Sequence, residues 1–221
     1  MTATAARRPL ARRAFLALLA LVALAALGAW LSRSAPAWWS PVARDAPGAL
    51  DAARALEQGI ASETTRVRAA GEEEWSVRVR AADLNAWLGA RLPRWLEHDR
   101  SLPWPEGVRG AQVRIDAEGI VLAADWNGFV VSTRLELEPG APGTPAMLRA
   151  ASTSVGRLPV PFAAGVGAWF VPELARPLAL EAALGDGRRL RVEGVEFADG
   201  EAIVDCVTAV PGRAASPAGG S

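Results

Sequence analysis

The sequence predicts an α+β chain: an N-terminal transmembrane helix, then one exported domain in which a curved antiparallel sheet packs on two helices. Three observations predict it. The stretch from Ala14 to Leu31 carries no charge and is almost wholly apolar. Apolar and polar residues alternate strand-wise in blocks between Trp75 and Val210, separated by tight turn signals and without an internal repeat. Two stretches of helical spacing, one around Leu84 and one beginning at Phe162, interrupt those blocks.

The apolar run covers about 18 residues, roughly 27 Å as a helix, which matches a bilayer core. Arg7, Arg8, Arg12 and Arg13 precede it and only Arg33 follows closely. The positive-inside rule then places the N-terminus in the cytoplasm and the rest on the periplasmic or extracytoplasmic side of the inner membrane. Trp30, Trp38 and Trp39 suit the far membrane interface, where an indole keeps its ring in the headgroups and its N–H wet. Ser34-Ala-Pro-Ala37 offers small residues for a signal-peptidase cut. The run is longer than a signal core of about 7–15 residues, which favours an uncleaved anchor. The chain divides into a basic tail (1–13), the anchor (14–31), a linker (32–45), the exported domain (46–210) and a small, polar, disordered tail (211–221).

Asp45 is a candidate N-cap for a helix with Pro47 in its first turn, and Leu50, Ala53, Leu56 and Ile60 form its apolar stripe as far as Ser62. In the first strand Trp75, Val77 and Val79 face one way and Ser76, Arg78 and Arg80 the other. The next helix sets Leu84, Trp87, Leu88 and Leu92 on one side, with Pro93 as an interruption. Val108–Asp116, Gly119–Trp126 and a strand from Phe129 form a meander, with Asn127-Gly128 as a two-residue hairpin turn. Met147 to Leu158 reads as one more strand. Phe162 to about Leu184 reads as a helix carrying Phe162, Val166, Trp169 and Phe170 on one side. A final hairpin, Arg188–Ala198 and Glu201–Val210, has an apolar register that flips at Gly194, the mark of a β-bulge.

Composition excludes several functions. There are 24 basic and 24 acidic residues, so no basic surface for nucleic acid is expected. With one cysteine (Cys206) and one histidine (His98), neither an internal disulfide nor an ordinary zinc site can form. No metal and no cofactor is expected. His98 sits between Glu97 and Asp99, neighbours that do not face one another on a helix, and Cys206 lies in a valine-rich strand where a thiol acts as a small hydrophobe. No motif for catalysis is present, so the expectation is a non-enzyme.

Asn85 stands out because it lies beside Leu84 in an otherwise apolar helix face. Burying an unpaired amide costs about 1–3 kcal/mol, so a structural partner on a neighbouring strand or loop is expected. The tryptophans are either core packing or part of an apolar groove lined by Leu84, Trp87, Leu88, Phe162, Val166, Trp169 and Phe170.

The run "DLNAWL" from Asp83, "VRIDAEGIVLAADW" from Val113, "VGRLPVP" from Val155 and "VEGVEFADGEAIV" from Val192, behind a single anchor, resembles the YpmS-type family of membrane-anchored bacterial proteins, whose role is unsettled. More distantly the chain is similar to TULIP-like envelope proteins. That resemblance implies a half-barrel, a curved sheet wrapping a helix, and a lipid or other hydrophobic ligand in the groove. The bilayer is the expected partner through residues 14–31, with a lipid ligand or an envelope protein as the second. Two other functions stay open: a scaffold subunit of a membrane or cell-wall complex with a filled core, and a cell-wall glycan binder or hydrolase.

Overall fold

In the computed structural model, residues 7–68, 73–98, 106–141, 144–160 and 178–209 are described. The predicted helix at Phe162, with Val166, Trp169 and Phe170, and the tail 211–221 lie outside them. Helix α1 (Arg7–Arg33) contains the apolar span Phe15–Arg33, long and apolar enough to cross a membrane and with none of it buried. Among the described residues its last turn meets the domain, at Gly156 and Arg157.

Helix α2 (Ala49–Thr65) begins later than the sequence suggests. Asp45 is not its N-cap; Gly48 is, with φ 73°, because Asp45-Ala-Pro-Gly is used up in turns that bond Ala46 N–H to Ala43 and Ala49 N–H to Ala46. Strand β1 (Glu74–Arg80) alternates as predicted and leads directly into α3 (Ala81–Ala86). The helix continues through a π-turn (Trp87–Arg91) into α4 (Leu92–His98). Pro93 does not break it: one wider turn, in which Leu92 N–H reaches back five residues to the Trp87 carbonyl, precedes the residue that lacks an N–H.

The meander is β2 (Val108–Asp116), β3 (Gly119–Trp126) and β4 (Phe129–Glu138). Asn127 (φ 52°) and Gly128 (φ 86°) adopt the paired left-handed conformations of the expected hairpin turn. The strand predicted over Met147–Leu158 is instead β5 (Met147–Val155) and β6 (Leu158–Val160), folded back at Gly156-Arg157 because Gly156 takes φ 60°. The end of the predicted second helix is also corrected. Past Pro177 the chain is extended, as β7 (Leu178–Ala179) and β8 (Glu181–Ala183). Strands β9 (Arg189–Ala198) and β10 (Glu201–Ala209) close the chain's described part, with a register shift at Asp205/Cys206 across from Gly194 and Val192, where the bulge was expected.

The strands form two sheets where the sequence suggests one. A four-stranded sheet runs β1-β10-β9-β8, and a six-stranded sheet runs β2-β3-β4-β5-β6 with β7 also on β5, all antiparallel. The segment from β7 to β8 pairs with one sheet and then the other. At the corner Leu180 N–H bonds the Ala146 carbonyl, and Val192 N–H bonds that of Leu180. At the far side the β9–β10 turn donates Gly200 N–H to the Ile115 carbonyl of β2. Between the sheets and the helix lies the core of Val113, Ile115 and Ala202, flanked by Leu84, Leu88, Ile120, Leu122, Val195 and Phe197. Helix α2 packs on α3 and the π-turn through alanines, Ala49 against Ala86 and Ala90, side chains small enough to let the helices approach closely.

Candidate functional site

Asn85 answers to the expectation made for it. Its Nδ2 donates to the Val113 carbonyl at 2.8 Å and its Oδ1 accepts the Val113 N–H at 2.6 Å. Both groups of Val113 therefore face away from β3, and the amide completes the free edge of β2 as a neighbouring strand would. One residue back, Gln112 makes a second such clamp from the other face of the strand. Its Oε1 accepts the Ser40 N–H at 2.7 Å, and its Nε2 donates to the Trp38 carbonyl at 3.1 Å. The segment between α1 and α2 is thus a strap laid on the six-stranded sheet. Arg114 stands 6.0 Å over the Trp38 ring, which meets Trp39 edge to face at 6.4 Å.

The strap then turns over the β2 edge and packs against the π-turn. A Cβ on Gly89 would collide with the Val42 carbonyl, so only glycine lets strap and helix come this close. Beyond that contact a cleft of about 520 Å³ opens between the strap (Pro41 to Arg44), the helix (Leu88, Gly89, Pro93, Glu97) and the start of β2 (Arg109 to Ala111). Its walls are mainly apolar. Because Val113 faces outward and antiparallel strands repeat every second residue, Ala111 turns its own N–H and C=O toward the cleft. At the mouth Arg44 and Glu97 form a two-pronged ion pair at 2.6 and 2.7 Å; the hydrogen bonds from Arg44 hold the Glu97 carboxyl below its ordinary value. Arg109, the extra residue of a bulge between Val108 and Gly110, is exposed beside it.

The predicted groove residues separate here. Leu84 lies in the core, and Leu88 packs on that core while also lining the cleft. Trp87 points the other way: its Nε1 donates to Glu57 of α2 at 2.9 Å, and Arg91 grips the same carboxylate. Burial opposes the Glu57 charge, but the bonds from Trp87 and Arg91 outweigh it and hold that carboxyl low. Of the tryptophans assigned to the membrane interface, Trp30 is exposed on α1 while Trp38 and Trp39 are half-buried in the strap. Sequence reasoning missed Pro41, Val42, Arg44, Arg109 and Gln112. Gly89, an isolated glycine inside a helix, was the one available signal of close packing.

A second, smaller hollow of about 140 Å³ lies at the β9–β10 bulge among Glu74, Ser76, Glu193 and Asp205. Cys206 borders it, but burial and the neighbouring Asp205 push its thiol up to about 11, so it stays protonated and unreactive at neutral pH. Among the described residues no group of histidine, cysteine and carboxylate side chains could hold a metal. No family model, curated protein or solved structure matches the chain.

Proposed function

We propose that this chain is a single-pass envelope protein whose exported domain binds a lipid or another hydrophobic group at the membrane surface and catalyses no reaction on it. The observation that carries the reading is the position of the cleft. It opens at the end of β2 where Val108 pairs with Trp126 at the foot of the β3–β4 hairpin, and α1 joins the domain beside that hairpin, at Phe129 and Gly156. A mainly apolar hollow near an anchored end receives a ligand at high local concentration, so modest affinity suffices. The bend at Leu180 and the helix lying on Val113 and Ile115 support the half-barrel that the TULIP-like resemblance implies.

Native mass spectrometry and lipid extraction of the full chain purified from membranes test the reading. Co-purifying phospholipid or isoprenoid, lost in folded Leu88→Gln or Val42→Gln variants, is the expected result. A folded protein free of lipid overturns it. The scaffold reading would then lead, favoured by Ile60 on α2 and Trp95 on α4, which are 41% and 43% exposed.

A further inference from the structure

The six-stranded sheet ends, on the side nearest the anchor, in a row formed by Val108, Trp126, Asn127, Gly128 and Phe129, with the Gly156-Arg157 turn alongside. Among the described residues, the bonds that fasten the end of helix α1 to the domain fall on this row. Arg157 N–H donates to the Leu31 carbonyl at 2.9 Å, and Arg157 Nε donates to Ala35 O at 3.2 Å. Gly156 lies so close to the carbonyls of Leu31 and Ser32 that a Cβ would collide with both. Arg33, the last residue of the span, stands 5.7 Å over the Phe129 ring. Where the apolar span ends, the row begins.

The charges on the row differ from those on the rest of the sheet. Arg114, Arg134 and Arg149 each hold a carboxylate. Arg33, Arg109 and Arg157 are all exposed, and none forms an ion pair among the described residues. The nearby Asp125 accepts the Gly128 N–H of the same hairpin at 2.8 Å. At Arg109 the bulge adds a residue to the strand and so turns a side chain out of the ladder.

We propose that this row is a membrane-apposed surface that seats the domain on the anionic phospholipid headgroups of the leaflet from which α1 emerges. Guanidinium groups pair with lipid phosphates in two-pronged fashion, and each cation within a Debye length of an anionic leaflet adds to the attraction. Trp126 and Phe129 suit the same depth, where an aromatic ring tolerates both headgroup and acyl surroundings. The proposal rests on the anchoring part of the reading above and not on a ligand in the cleft.

Hydrogen exchange of the full chain in nanodiscs tests it, comparing discs of phosphatidylcholine alone with discs that also contain phosphatidylglycerol. With phosphatidylglycerol the amides of residues 108–110, 126–130 and 156–158 should exchange about fivefold more slowly, the order expected for one arginine held at an anionic surface. Residues 133–137, farther from the anchor, should not change. Arg109→Gln combined with Arg157→Gln should remove the protection, and Arg109→Lys with Arg157→Lys should keep most of it, each checked for an unchanged fold by thermal unfolding. Equal exchange in both lipid compositions overturns the proposal, as does protection that survives in the double glutamine variant. Neither result bears on lipid extraction from the cleft, so the two readings fail separately.

Discussion

Two neighbouring side-chain amides perform the same chemistry on either side of β2, and they do different jobs. Asn85 reaches the strand from a helix that is already held by Leu84 and Leu88 against Val113, Ile115 and Ile120. Gln112 reaches from the strand to a strap whose other contacts are spread thinly along it: Ala35 O under Arg157, Trp38 under Arg114, Pro41 over Gly110, Val42 on Gly89 and Arg44 on Glu97. Apolar burial attaches the helix, and the Asn85 amide then fixes where along the strand it sits. On the strap the two bonds of the Gln112 amide are part of the attachment itself. The two also differ in what their loss leaves behind. Without Asn85, two groups of β2 stay unpaired beside the core; without Gln112, two groups of a surface strap turn to water.

Substitution at Asn85 should therefore show the largest effect. Asn85→Ala is expected to cost about 2–4 kcal/mol, since both Val113 groups lose their partner in a half-buried edge, and chemical denaturation of the domain measures it. Asn85→Asp separates the two bonds. The new carboxylate still accepts the Val113 N–H but repels the Val113 carbonyl, which raises its folded pKa above the unfolded one. Its protonated form restores a donor, so stability relative to wild type should rise as pH falls through that raised pKa. A pH-independent difference would mean that the amide's donor contributes little.

Gly156 offers a joint with no side-chain bond at all. Gly156→Ala must accept φ 60° and crowd the Leu31 and Ser32 carbonyls, at a cost of about 2 kcal/mol, seen as faster proteolysis between anchor and domain with the rest of the fold intact. Gln112→Ala should cost only about 1 kcal/mol and speed exchange of the Ser40 amide without altering the core. Equal losses at Asn85 and Gln112 would erase the distinction between positioning and attachment.

Ion pairs should rank below both amides. The hydrogen bonds from Arg134 hold the Asp116 carboxyl below its ordinary value, on side chains 23% and 15% exposed. Their contribution is present above the ordinary carboxylate range and is lost as pH falls through the lowered pKa. Arg134→Met should lower stability at neutral pH by about 0.5–1 kcal/mol and flatten the acid limb of the unfolding profile. Arg44→Ala, at an exposed pair, should leave the thermal midpoint unchanged within error.

The same two amides show what could be read from the chain alone. Asn85 was legible because it interrupts an apolar helical stripe, so its need for a partner follows from burial. Gln112 was invisible: a polar residue alternating with Val113 in a strand is the ordinary pattern of a solvent-facing position, and only the strap laid over it changes that. The meander and its Asn127-Gly128 turn were legible because local dihedral preferences decide them. The division into two sheets was not, because it depends on pairings far apart in sequence, β1 with β10 and β5 with β7. Trp87 misled for a related reason. Periodicity gives the side of a helix but not which of two neighbours, sheet or α2, that side will meet.

The π-turn at Trp87–Arg91 makes the helix a counting device. It holds one residue more than a regular α-helix would need over the same length, so everything after it is rotated by about 100° relative to a regular helix. That offset carries Pro93 and Glu97 to the cleft while Leu84 and Asn85 stay on the strand. Removing any one residue of the turn would give a more regular helix that no longer fits the protein around it. The segment's length thus matters to the fold as much as its side chains do.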